Sequence, residues 1–182
     1  MNTDRIIVGY DGNFDAPRRP FTVGPNVIIP VGQYDFGTAR VAFQFGQHRR
    51  VFGLVRYDTG TFYDGDRDAL SVSTARVTIT RQVSLEPTLS VNHIVLPQQT
   101  FTTKLLGSRV TYTVTPDVFV SALVQFNSDI KSVSTNARLR WEYRPGSELF
   151  VVYNEQRDTA APRFPTLVNR AFIVKVNKLF RS

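Results

Sequence analysis

The stretch Val133-Ser134-Thr135-Asn136-Ala137-Arg138-Leu139-Arg140-Trp141-Glu142-Tyr143 decides the fold. Its odd positions are Val133, Thr135, Ala137, Leu139, Trp141 and Tyr143, and its even positions are Ser134, Asn136, Arg138, Arg140 and Glu142. A period of two puts successive side chains on opposite faces of an extended chain, so this is a strand with one apolar and one charged face. The segment before it repeats the pattern. Val118, Val120, Ala122, Val124 and Phe126 oppose Ser121, Gln125 and Asn127, with Phe119 and Leu123 interrupting the polar side. Further out, Leu106, Val110, Tyr112 and Val114 oppose Arg109, Thr111 and Thr113, while Val83, Leu85, Leu89 and Val91 oppose Ser84, Glu86, Thr88 and Ser90. Near the end, Phe172, Val174, Val176 and Phe180 oppose Lys175 and Asn177. No segment sustains a 3.6-residue period, so the chain is expected to be all-β.

About ten strands follow, at 5–14, 34–46, 51–63, 69–80, 83–95, 101–114, 118–127, 132–144, 148–157 and 169–180. Most approach the roughly 9 to 11 residues of a tilted membrane strand and exceed the five or six usual in soluble sheets. Each connection is too short for a crossover helix, which makes sequential antiparallel hairpins the economical topology. Gln47 to Arg50, Arg81-Gln82, Thr115 to Asp117 and Arg144 to Ser147 are short and fall at every second junction. Asp64 to Asp68, Pro97 to Thr100, Asn127 to Lys131 and the stretch from Arg157 to Val168, with Pro162 and Pro165, fall between them as the longer loops. Tight turns on one rim and longer loops on the other are the asymmetry of outer-membrane barrels. Phe45, Tyr112, Trp141, Tyr143 and Phe180 gather near the short-turn rim, and Phe62, Tyr63, Phe101, Phe126 and Phe172 near the other, as interfacial girdles would. The expected fold is an antiparallel up-and-down transmembrane β-barrel. Residues 1–182 form it as a single domain or as the C-terminal part of a larger barrel.

Composition excludes several functions. A chain of 182 residues that is 42% hydrophobic and 20% charged should fold despite its net charge of +7. With no cysteine there is no disulfide framework, thiolate zinc site or cysteine nucleophile. His48 and His93 lie far apart, and no metal site or cofactor is expected. The apolar run Val118 to Phe126 is about half of the roughly 20 residues a spanning helix needs. Met1-Asn2-Thr3-Asp4-Arg5 carries no apolar signal segment, which reads either as a cytoplasmic protein or as a truncated start. Asp64-Gly65-Asp66-Arg67-Asp68 imitates the opening of a calcium loop, but Ala69 and Ala75 stand where glycine and glutamate belong, so a polar hairpin turn is the better reading. His93 near Ser90 and Asn92 suggests a barrel-wall hydrolase, yet alternation sends His93 to the other face. No nucleophile elbow, phosphate loop, dinucleotide fingerprint or zinc-protease motif is present, so no catalytic residue is assigned and a non-enzymatic role is expected. The arginines are spread over many strands rather than gathered in one patch, which argues against a nucleic-acid partner.

In the barrel reading Arg109, Gln125, Asn127, Arg138, Arg140, Glu142 and Lys175 face a polar lumen, where unlike charges can pair across strands. Tyr112, Phe126, Trp141, Tyr143, Phe172 and Phe180 sit at the lipid interface. Outer-membrane lipid is then the main partner. The rival is a soluble β-barrel or sandwich that turns its apolar faces inward around a small ligand.

Several stretches resemble a known family. They are Gly60-Thr61-Phe62-Tyr63-Asp64-Gly65-Asp66, Phe101-Thr102-Thr103, Arg109-Val110-Thr111-Tyr112-Thr113, Phe119 through Asn127, Ser134 through Glu155 and Asn169 through Lys175. From about residue 20 onward the chain is similar to the C-terminal barrel region of large Gram-negative outer-membrane proteins with an N-terminal carbohydrate-binding family 9-like domain, a region catalogued as domain of unknown function 5916. The resemblance implies an outer-membrane location, a transport or surface-carbohydrate role, carbohydrate as a partner and insertion by the outer-membrane assembly machinery. It carries over no catalytic residue. The family's aromatic last residue is replaced here by Phe180-Arg181-Ser182, and the signal peptide and sugar-binding-like domain have no counterpart in this chain, which therefore reads as a fragment.

Overall fold

The computed structural model describes residues 3–24, 27–161 and 165–180, and within them the chain is all-β and antiparallel. Its strands are β1 (Arg5–Asp15), β2 (Phe21–Gly24), β3 (Val27–Ile29), β4 (Tyr34–Phe45), β5 (Val51–Phe62), β6 (Gly65–Thr78), β7 (Val83–Val95), β8 (Thr100–Thr115), β9 (Val118–Asn127), β10 (Ser132–Arg144), β11 (Ser147–Asp158) and β12 (Thr166–Asn177). Ten of them are hydrogen-bonded in the order β1-β4-β5-β6-β7-β8-β9-β10-β11-β12, and β2 pairs only with β3. The order is that of a meander. No pairing among the described residues closes it, and β1 and β12 each keep one edge free. The contacts divide the chain into two compact units, Met1–Ala75 with Thr88–Leu105, and Arg76–Pro87 with Leu106–Ser182.

In the first unit the register sets Val8 beside Val41 and Val41 beside Tyr57, with Ile6 beside Phe43 and Phe43 beside Val55. This apolar side is open: Val8 is 74% exposed, and Ile6, Tyr10, Phe14, Val41 and Tyr57 are exposed with it. On the opposite side Thr38, Ala42 and Asp58 are buried. At one end of that side the unit makes its core. The β2–β3 hairpin places Val27 and Ile29, both fully buried, against Tyr34, Ile94, Leu96 and Phe101. Each such aliphatic side chain removed from water contributes about 1.5 to 3 kcal/mol. Gly24 is required there, since a Cβ on it would stand 2.5 Å from the Phe101 ring.

The second unit contains three strand pairs whose register is regular apart from shifts between Glu142 and Arg144 and between Gln156 and Arg157. Phe119, Arg140, Phe150 and Lys175 form one row across β9, β10, β11 and β12. Ser121, Arg138, Val152 and Ile173 form the next, and Leu123, Asn136, Asn154 and Ala171 the third. The reverse side carries Val120, Leu139, Val151 and Val174 in one row and Val118, Trp141, Leu149 and Val176 in another. Here too the apolar side is open, with Val120, Val124, Trp141, Val174 and Val176 all exposed.

Three expectations are corrected. Asp64 to Asp68 is not a loop: β6 begins at Gly65, and Tyr63-Asp64 alone make the turn, with Tyr63 at a φ of 52°. The connection from β1 to β4 contains the β2–β3 hairpin, which strands of four and three residues were too short to announce by alternation. Phe62, Tyr63 and Phe101 do not form a rim girdle, because Phe101 is buried in the first unit's core and Phe62 and Tyr63 pack against it. Pro162, which marks the last long connection, and the terminal Arg181-Ser182 lie outside the described residues.

Candidate functional site: the polar side of the sheet

In the first unit the polar side of the sheet carries a charge network. Arg40 stands between two carboxylates, 2.9 Å from Asp11 and 2.7 Å from Asp58, and Arg56 approaches Asp58 at 2.8 Å. The register explains it, since Arg40 pairs with Asp58 across β4 and β5 while Arg56 and Asp58 share one side of β5. The Asp58 side chain is 3% exposed, so its charge relies on the two guanidinium groups rather than on water. Two arginines meet two aspartates, and the network is neutral.

The second unit's polar side is not neutral. A cavity of about 640 Å³ is lined by Arg109, Arg138, Arg140 and Lys175 together with Phe119, Ser121, Asn136, Phe150 and Asn154. Both nearby carboxylates are engaged by one of these cations. Arg140 Nε donates to Glu148 Oε1 at 2.7 Å, and Glu142 lies 3.9 Å from the same guanidinium. Arg140 also stacks toward the Phe119 ring, 5.8 Å from its centroid. Arg109, Arg138 and Lys175 have no ion pair or side-chain hydrogen bond with any described residue. Asn136 donates its amide to Asn154.

The predicted polar residues therefore divide. Arg109, Arg138, Arg140 and Lys175 come together around one cavity. Gln125, paired with Ser134, lies farther along the same side of β9. Asn127 turns away to a structural task, its Oδ1 accepting the Asp129 N–H at 2.9 Å in the β9–β10 connection. Glu142 similarly accepts the Gly146 N–H at 2.9 Å and fastens the β10–β11 turn. Of the aromatic residues, Tyr112, Trp141, Phe172 and Phe180 are exposed. Tyr143 is half-buried, donates its hydroxyl to the Asn177 carbonyl at 3.1 Å and meets Trp141 edge-on at 6.1 Å. Phe126 is half-buried beside Val133.

Two clusters escaped sequence reading. The Asp11, Arg40, Arg56 and Asp58 network depends on registers that no single segment displays. The other lies on the second unit's apolar side, where Glu155 gathers the Tyr153 hydroxyl, Arg157 Nε at 2.5 Å and Arg170 Nη2 at 2.9 Å. His93 meets Thr102 at 3.0 Å, whereas Asn92 reaches Ser90 and Thr103, so no serine, histidine and amide converge. No group of three potential metal ligands occurs among the described residues, and no helix there is long and apolar enough to cross a membrane, which says nothing of crossing by strands.

No family model matches the chain, and no characterised protein and no solved structure is significantly similar to it.

Proposed function

We propose that the chain is a membrane-spanning antiparallel β-barrel, or the C-terminal part of a wider one, in a bacterial outer membrane, with a non-enzymatic role in admitting or holding polar solutes. One observation carries the reading: in each unit the apolar side of the sheet is exposed, and in the first the opposite side holds a buried carboxylate, Asp58, between two arginines. Water would drive the opposite arrangement, at about 25 cal/mol for every Å² of apolar surface left wet. Hydrocarbon favours the arrangement found here. Strands of 10 to 16 residues in the meander support it, because twelve residues at about 3.3 Å each, tilted near 40°, span roughly 30 Å. Trp141 and Tyr143 at one end of the open apolar side, and the Glu155, Arg157 and Arg170 cluster toward the other end, suit the polar boundaries of a bilayer. A bilayer tolerates no unpaired strand edge, so the free edges of β1 and β12 require partner strands. The resemblance to the domain of unknown function 5916 barrels adds a surface-carbohydrate role to this proposal.

The test is behaviour in solution. The purified chain should stay monodisperse only in detergent or lipid, and should resist protease when reconstituted into vesicles. A monomer that is stable in water without detergent would instead support the soluble ligand-binding barrel.

A further inference from the structure

We infer that the cavity on the second unit's polar side binds a hydroxylated carboxylate, that is, a sugar acid. The first observation is charge. Glu148 and Glu142 both lie against Arg140, which leaves Arg109, Arg138 and Lys175 around the same cavity with no anionic partner among the described residues. Uncompensated cations on one concave surface attract an anion and hold it through charge-assisted hydrogen bonds. A purely structural ladder would balance its charges, as the first unit's network of Asp11, Arg40, Arg56 and Asp58 does.

The second observation is what accompanies the cations. Register puts Phe150 between Arg140 and Lys175, and sets Asn136 beside Asn154 two rows away. An aromatic face suits the C–H surface of a sugar ring, and amides both donate to and accept from hydroxyls. Arginine adds a planar fork that matches a carboxylate. A bare inorganic oxyanion would use only the cations. The cavity's size lies within the range of small-molecule sites. The site gives a ligand class to the polar-solute role proposed above, but the binding step rests on the polar side alone and is independent of what covers the apolar side.

Equilibrium binding to the full chain in detergent micelles tests it, with galacturonate, galactose and inorganic phosphate as probes. Galacturonate should bind, and galactose about tenfold or more weaker, since it lacks the group that the cations would hold. Arg138→Gln and Lys175→Gln should each lower galacturonate affinity about tenfold, and Arg138→Lys, which keeps the charge but loses the planar fork, should lower it by less. Raising the salt concentration should weaken galacturonate and leave galactose unchanged. Equal affinity for galacturonate and galactose, binding of phosphate alone, no binding of any probe, or indifference to both glutamine substitutions would each overturn the assignment. Failure of the bilayer reading would show instead as solubility without detergent, which leaves these binding measurements to be made in buffer.

Discussion

Tyr63 shows how one residue ties the first unit together. It occupies a left-handed φ of 52° in a two-residue turn, a conformation costing a non-glycine residue about 1 kcal/mol or more. Its ring repays that through edge contacts with Tyr34 at 5.0 Å and Phe62 at 4.7 Å, and its hydroxyl donates to Asp15 Oδ2 at 2.8 Å. Burial, reinforced by the Asp15 carboxylate, pushes the phenol up to about 12 from an ordinary value of 10.0. The folded state therefore prefers the neutral phenol. The resulting stabilisation is whole below pH 10 and is lost as pH rises through about 12. Phenolate absorbance should show a late-titrating fraction that Tyr63→Phe diminishes, and titration of all tyrosines near their ordinary value would contradict this. Asp58 offers a second test at this scale. Asp58→Asn leaves Arg56 without a carboxylate and Arg40 with Asp11 alone, and should cost about 2 to 3 kcal/mol in denaturant unfolding from micelles, less than a fully buried pair because both arginines remain partly solvated. A cost below about 0.5 kcal/mol would place the network among surface ion pairs of little consequence.

At the scale of the element, β10 states the two-sided character most clearly. Leu139 lies on the apolar side between Val120 and Val151, and Arg138 on the other between Ser121 and Val152. Leu139→Arg should destabilise the chain in lipid by about 2 to 4 kcal/mol if that row lies near the bilayer midplane, whereas Arg138→Leu should cost far less. Equal costs in refolding titrations from lipid vesicles would reject the assigned sides. The long strands were legible because β7, β8, β9, β10 and β12 carry visible alternation and short turn segments mark off the others. The β2–β3 hairpin was not, since its buried partners Ile94 and Phe101 come from distant strands. The same long-range packing moved Phe101 from an expected rim girdle into a core. The cluster of Arg109, Arg138, Arg140 and Lys175 could be anticipated from parity, but that Glu142 and Glu148 are both drawn to Arg140 needed the β10–β11 register.

At the scale of the whole molecule, the meander order and the exposed apolar sides support the proposal that hydrocarbon rather than water lies against the apolar side. The chain contains no cysteine, so single cysteines can be introduced and labelled without background. Fluorophores at Val124 and Val174 on the apolar side, and at Ser121 and Ser134 on the polar side, should be read in reconstituted bilayers with a lipid-borne quencher and an aqueous one. Lipid facing the apolar side means that Val124 and Val174 are quenched from the lipid, and Ser121 and Ser134 only from water. The reverse assignment, or equal quenching at all four positions by the aqueous quencher, would contradict it.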